Sequence, residues 1–355
     1  MARFAYRLPA FATDFSAAMS LISTMNGMSV LHAPSGCMGN YCGFDEPDWI
    51  RSPGLTYCSM LKEDETIFGN DEILLGKIDD SCERMKPPFV AIIGSPITAL
   101  IGTDLQGIAR ISEERTGVPT IAVDTTGFGT YQDGLYKAFV SCLERFGSHG
   151  DEPRGTYMLG LDKYDYHACS DRPFLESKIG ESGHPCAGSM PGDGIAFFDD
   201  LAHSSSSFAV STAGYRMARL LKKRYGTPIE IMRYGSDGTH TPNGKRCLII
   251  GDQLISGYVR DIVSGYGYEC DVGTLFGFEN GLSEGNDFRA ESERELSERL
   301  RSERYDQVIC DPMISALAPD GTKTVGLPHP AVSSKIHWND FVPLRDLPEH
   351  LKKLL

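Results

Sequence analysis

The chain reads as an α/β protein of two to three Rossmann-like, doubly wound parallel-sheet domains around a central cleft. Two patterns predict this. Short apolar runs recur along the chain, each closed by turn residues, as expected of strands buried on both faces. Stretches of helical period lie between those runs, so strand and helix alternate in the order of βαβ units. With 355 residues and 41% hydrophobic content, the chain has enough apolar material for more than one core.

In order, residues 14–25 read as a helix and 28–31 as the first strand. Strands then fall at 55–58, 89–94 and 120–124, alternating with helices at 71–85, 105–116 and 134–146. The polar stretch 147–155 reads as a linker, which gives a first domain over 1–150. A smaller middle α/β domain over 151–242 carries strands at 157–161, 194–198 and 208–210, a helix at 173–179 and a basic amphipathic helix at 214–225. Gly, Asp, Thr, Pro and Asn crowd 235–244 as a second linker. Beyond it a third unit, 243–355, has strands at 247–251, 270–275, 307–311 and 324–327 and helices at 254–264 and 292–304.

Composition excludes several function classes. A formal net charge of −14 leaves no basic surface for nucleic acid or an anionic membrane. No stretch approaches the ~20 apolar residues that cross a bilayer, and the first residues lack the apolar core and cleavage site of a secretory signal. A cytoplasmic protein is expected, in which ten cysteines stay reduced and serve metal ligation or burial. Cys82, Cys142, Cys247, Cys270 and Cys310 lie in helix-like or strand-like patterns and read as packing residues, while Cys169 and Cys186 share no metal spacing. His203, His240 and His337 also lack such spacing.

The most informative segment is His32-Ala33-Pro34-Ser35-Gly36-Cys37, followed by Cys42 and Cys58. Gly36 lets the backbone approach a bulky inorganic ligand, and three thiols in a short window supply much of a cluster's ligation. In an open parallel sheet ligands sit beyond the carboxyl ends of the strands. Cys37 follows the first strand, Cys58 ends the second, Ser95 follows the third and Asp124 ends the fourth, so all four should share one lip. Asp14 reads as a helix-capping residue, His32 as structural, and Glu63, Asp64 and Glu65 as an acidic helix approach. In the third unit, Gly251 and Asp252 follow a strand without a G-x-G-x-x-G motif, and His329 is held between Pro328 and Pro330. A histidine so fixed suits a ligand or general acid.

Residues 31–69, the Gly94-Ser95-Pro96-Ile97-Thr98 segment and the run 118–128 resemble the catalytic-component superfamily of nitrogenase, which also holds dark-operative protochlorophyllide reductases and cofactor-assembly scaffolds. The resemblance is strong over 31–146, moderate over 247–341 and thin between. It implies a nitrogenase-like iron–sulfur oxidoreductase, the electron-accepting component of a two-component reductase. Its partner would be an ATP-dependent iron–sulfur reductase, since this chain lacks the G-x-x-x-x-G-K-[ST] loop. Of three family cluster cysteines, Cys37 matches one. The others fall near Ala12, close to Asp14, and on Ser95, so an eight-iron cluster is not expected. The resemblance with Cys42 and Cys58 as local substitutes implies a [4Fe–4S] cluster bridging a homodimer, or a heterodimer with a homologous subunit. It places Gly36, Ser95, Gly251 and Asp252 in cofactor binding and His329 in catalysis, beside a cavity for a second metal cluster or tetrapyrrole-like substrate. The family's cofactor-anchoring cysteine would fall around Val210 and Ser211, where no thiol exists, so dinitrogen reduction is not expected. An assembly scaffold or carrier and a cluster-free binding protein are the alternatives.

Overall fold

A computed structural model describes residues 5–69, 71–147, 154–166, 168–181, 186–190, 194–235 and 241–355. The chain forms two compact units, one of Ala12–Arg154 with Gly188–Ser204, the other of Met1–Phe11, Gly155–Ala187 and Ser205–Leu355. Much of the two linker stretches, 147–155 and 235–244, lies outside the described residues, as do His240 and the Cys169 side chain.

The first unit is built on a parallel sheet of β1 (Met28–Leu31), β2 (Thr56–Cys58), β3 (Val90–Ile93) and β4 (Thr120–Val123) in the order β2-β1-β3-β4. Strands β1, β3 and β4 are buried along their whole length, which is why they read as continuous apolar runs. On one face Met28, Val30, Val90 and Ile92 pack against Leu74, Leu75 and Ile78 of the helix Asp71–Met85 and Ile108 of Leu105–Thr116. Ser29 faces the other way, its hydroxyl 3.4 Å from the Met19 carbonyl of the helix Asp14–Thr24. That helix packs on Tyr131–Phe146 at very close range. A Cβ on Gly134 would lie 1.8 Å from the Asp14 carbonyl oxygen, so only glycine allows this crossing.

A middle sheet runs β6-β5-β7-β8, from β5 (Arg154–Leu159), β6 (Cys186–Met190), β7 (Ser204–Ala209) and β8 (Ile229–Ile231). The last sheet has five parallel strands, β9 (Arg246–Ile250), β10 (Glu269–Thr274), β11 (Phe288–Arg289), β12 (Gln307–Cys310) and β13 (Lys323–Gly326), in the order β11-β10-β9-β12-β13. These are several parallel-sheet α/β units, as the alternation of patterns predicts. Helix starts carry side-chain caps that the sequence displays: Ser95, Asp104, Thr130, Ser211, Asp252 and Ser292 each accept a backbone N–H of the first turn.

One expected strand is a helix. Residues 194–198 were expected to extend, yet Ala196–Ala202 is helical. A short apolar run does not fix its own period, and here Phe197, Phe198 and Leu201 share a buried helical face. The helix expected at 173–179 is longer, Ala168–Glu181, and takes Pro173 inside it. Strands β6, β8 and β11 were too short or too polar to read.

Gly134→Ala should lower stability by about 2 kcal/mol or more, because the methyl group meets fixed backbone rather than a movable side chain. Urea unfolding midpoints of the variant and the natural chain measure it, and equal midpoints would contradict the close crossing.

Candidate functional site

The carboxyl end of the first sheet gathers the sequence-predicted thiols. Pairing of Leu31 with Cys58 brings the end of β2 beside the end of β1. The chain then runs from His32 into a helix, Ser35–Asn40, that carries Cys37 in its first turn. The Cys58 thiol lies 3.2 Å from the Ala33 carbonyl oxygen and 3.7 Å from that of Pro34, and the same Pro34 carbonyl accepts the Cys37 N–H at 3.2 Å. Burial pushes the Cys37 thiol up, and nearby Cys58 pushes it further; Cys58 is raised chiefly by burial as well. The two sulfurs are near enough that ionising one opposes ionising the other. A metal that takes both as thiolates would therefore displace protons.

Cys42 is placed differently. Ser35–Asn40 passes directly into a π-helical turn, Tyr41–Asp45, a rare element that recurs at functional sites. The Cys42 sulfur lies 3.5 Å from the Met38 sulfur. Among the described residues no three His, Cys, Asp or Glu side chains group as metal ligands. Cys37 and Cys58 thus form a two-thiol set. Space beside Gly36 fits a bulky group, since a Cβ there would meet nothing within 4 Å. The donor chemistry and open space suit half of a four-iron cluster, with the remaining ligands supplied from outside this set.

Other residues on this lip have structural partners. Ser95 is fully buried; its hydroxyl donates to the His32 carbonyl at 2.7 Å and accepts the Thr98 N–H. His32 shares a 2.9 Å hydrogen bond with Ser59, and burial lowers its pKa. Glu65 accepts the Lys62 N–H and holds the start of the helix Glu63–Phe68. Asp14 is not the cap itself, which is Thr13. Its carboxylate instead accepts N–H groups of Phe15, Thr126 and Gly127 at 2.7–2.9 Å, tying the first helix to the loop after β4. Around the lip, His32, Glu65, Phe68, Asp71 and Asp104 border a cavity of about 410 Å³. Met60, Phe68, Leu100 and Phe128 are exposed on the segments that follow the strands.

The second unit has its own polar cluster, again beyond strand ends. Gly251 and Asp252 follow β9, Asp311 follows β12 and His329 follows β13. Asp252 accepts the N–H groups of Leu254, Ile255 and Thr212, so it caps a helix and clamps the turn after β7. Gly251 lies beside the ring, where a Cβ would sit 3.7 Å from His329 Cδ2. Asp311 accepts the His329 N–H at 2.7 Å, and the ring stacks on Phe276 at 5.0 Å. Ala331 N–H donates to His329 Nδ1, which leaves the ring proton on Nε2, 3.2 Å from Asp165 Oδ1. Burial lowers the pKa of this histidine, so it is neutral at pH 7, while burial and neighbouring carboxylates push Asp162 far up. Asp162 Oδ1 accepts the backbone N–H groups of Tyr164 and Asp165 at 2.9 and 3.1 Å. His329, Asp165 and Asp252 border a cavity of about 50 Å³ whose apolar wall includes Ile255 and Val342. Asp162 and Asp165 were missed from sequence; their one signal was an acidic pair three apart in a turn directly after an apolar run.

The class defined by these features is a parallel α/β protein with a cysteine-bearing sheet edge. Residues 14–242 match the family model described as nitrogenase component 1 type oxidoreductase, and the chain belongs to that family. The nitrogenase iron-molybdenum cofactor biosynthesis protein NifE of Nostoc sp. is 27% identical over 65% of this chain and 48% of its own length. The protein of the same name from Klebsiella pneumoniae is 26% identical over 66% of this chain and 55% of its own. The chain thus spans about half the length of the curated relatives it matches. A solved structure titled "Nitrogenase Cp1 at pH 6.5" shares the fold, with a TM-score of 0.73 at 13% identity, covering 100% of this chain and 94% of that one. Among the described residues no helix is long and apolar enough to cross a membrane.

The π-helical turn ends at Asp45, whose buried carboxylate takes hydrogen bonds from Ser16 at 2.5 Å and Asn40 at 2.9 Å. Burial pushes its pKa up to about 6. The native state therefore holds a proton that the unfolded chain has released, so this group's contribution is full below the unfolded pKa near 4 and is lost as pH rises through about 6. Asp45→Asn should remove that loss. Relative to the natural chain, the variant should gain on the order of 1.5 kcal/mol between pH 5 and pH 7.5 in paired urea titrations, and a pH-independent difference would contradict a buried, proton-loaded Asp45.

Proposed function

We propose that this protein is the electron-accepting component of a nitrogenase-like two-component reductase. Cys37 and Cys58 hold half of a [4Fe–4S] cluster, and a second copy of this chain completes it. The observation that carries this reading is the mutual proximity of two buried-edge thiols at the lip of a parallel sheet, with open space beside Gly36 and no third described ligand. The cluster, when bound, supplies one-electron storage and transfer. This chain's residues do the rest. Ser95 and His32 fix the loop that carries Cys37; Ser95 is a positioning residue rather than a contact. Lys77, donating to the Ser59 carbonyl, places a cation near Cys58 and favours its thiolate. In the second unit, the neutral His329 ring holds its Nε2 3.2 Å from Asp165, and the Asp162 carboxyl, whose affinity for a proton burial raises, is the group suited to general-acid delivery.

A second reading is favoured by the relatives named as cofactor biosynthesis proteins: a scaffold that carries a cluster and passes it on. Both readings need the cluster, and they diverge in its fate. A relay keeps its cluster while a nitrogenase-type reductase consumes ATP and reduces it; a scaffold loses iron to an apo-ferredoxin.

Anaerobic reconstitution with iron and sulfide, followed by iron analysis and EPR, tests the site. The natural chain should bind about two irons per chain, half of a four-iron cluster. Cys37→Ala and Cys58→Ala should each abolish the signal, and Cys42→Ala should keep it, given the packing of Cys42 on Met38. Iron retained in both Cys37→Ala and Cys58→Ala would overturn this ligand set.

A further inference from the structure

Away from both sites, the second unit carries two cysteines on adjacent strands that packing alone does not account for. In the parallel pairing of β9 with β10, Cys270 stands directly opposite Cys247. Directly paired residues of parallel strands project to the same face, and strands lie about 4.8 Å apart, inside the roughly 4.4–6.8 Å separation of Cα atoms that a disulfide spans. The two thiols are electrostatically coupled. They differ in access: Cys247 is fully buried, whereas Cys270 is half-buried near the exposed start of β10. Strand β11 pairs only with Gly273 and Thr274, so it leaves the Cys270 end of that edge uncovered. The Cys270 sulfur lies 3.8 Å from the Tyr268 carbonyl oxygen, and the Arg260 guanidinium is within electrostatic reach.

We propose that Cys247 and Cys270 form a redox-active thiol pair, a modification site for small-molecule disulfides in which Cys270 attacks and Cys247 resolves. Neighbouring Cys247 and Ser264 and the charge of Arg260 hold the Cys270 thiol below its usual range, whereas Cys247 is held well above it by neighbouring Cys270 and by burial. By contrast, burial alone raises Cys142 far above its usual range, and burial with neighbouring Asp311 pushes Cys310 up to about 12, as expected of inert packing thiols. A lowered, accessible thiol beside a resolving thiol is the arrangement of a redox-sensing cysteine.

In the first step the Cys270 thiolate attacks one sulfur of the reagent disulfide. The reagent S–S bond breaks, one thiolate leaves, and a mixed disulfide forms on Cys270. In the second step Cys247 gives its proton to the departing thiolate and attacks the Cys270 sulfur, releasing the second reagent thiol. Two protein thiols are oxidised by two electrons, and one disulfide is reduced to two thiols.

The test uses the full chain under anaerobic conditions with millimolar oxidised glutathione, alkylation of residual thiols and peptide mass mapping. The natural chain should yield linked peptides containing Cys247 and Cys270. Cys247→Ser should stop at a stable glutathione adduct on Cys270, and in Cys270→Ser modification of Cys247 should be at least about tenfold slower. A natural chain in which Cys270 stays unmodified while other thiols react would overturn the proposal, as would a folded Cys247→Ser variant with no adduct at Cys270. Circular dichroism confirms folding of the variants, and the map of the natural chain decides the matter even where a variant fails to fold.

Discussion

The register of β1 against β2 is the constraint on which the candidate cluster site depends. Pairing of Leu31 with Cys58 sets the end of one strand beside the end of its neighbour, so Cys37 and Cys58, 21 positions apart in sequence, share the Pro34 carbonyl. A slip of one residue would turn Cys58 to the opposite face and separate it from Cys37. The register is in turn secured by burial: β1 and β3 are covered on both faces, by Asp71–Met85 and Leu105–Thr116 on one side and by Asp14–Thr24 on the other. Asp14 extends that control, since its carboxylate ties the first helix to the loop after β4. The thiols are thus held by the sheet itself, and a cluster bound there would meet a donor pair already arranged.

The same rule of parallel sheets builds the cluster in the second unit. Asp252, Asp311 and His329 come from three different strand ends, and each uses its backbone-directed hydrogen bonds to fix a loop. What remains is chemical: a neutral imidazole whose proton is directed by the Ala331 N–H, beside the buried carboxyl groups of Asp162 and Asp165. Burial disfavours charge on both kinds of group.

Much of this was legible in sequence because parallel strands buried on both faces are written as apolar runs. Strands β1, β3, β4, β9 and β12 fell within a residue or so of expectation for that reason. The run at 194–198 failed because four apolar residues after a glycine suit either period, and only the burial of Phe197, Phe198 and Leu201 on one face decides for a helix. The family match reaches from 14 to 242, through the middle region where the resemblance looked thin. At the sites, Cys37 and Cys58 could be paired from strand order, and His329 with Gly251 and Asp252 from the same logic. Cys42 could not be separated from them, since its direction depends on a π-helical turn that no spacing announces. Asp162 and Asp165 stayed hidden because acidic residues in a turn ordinarily face solvent. The Cys247–Cys270 pairing needed the register of β9 with β10, which apolar patterns alone do not specify.

The central claim is that this chain supplies half of a bridging cluster. Native mass spectrometry of the anaerobically reconstituted protein reads it directly. The account predicts a two-chain species carrying one four-iron, four-sulfide cluster, falling to cluster-free chains in Cys58→Ala; a single chain that carries a complete four-iron cluster by itself would contradict it.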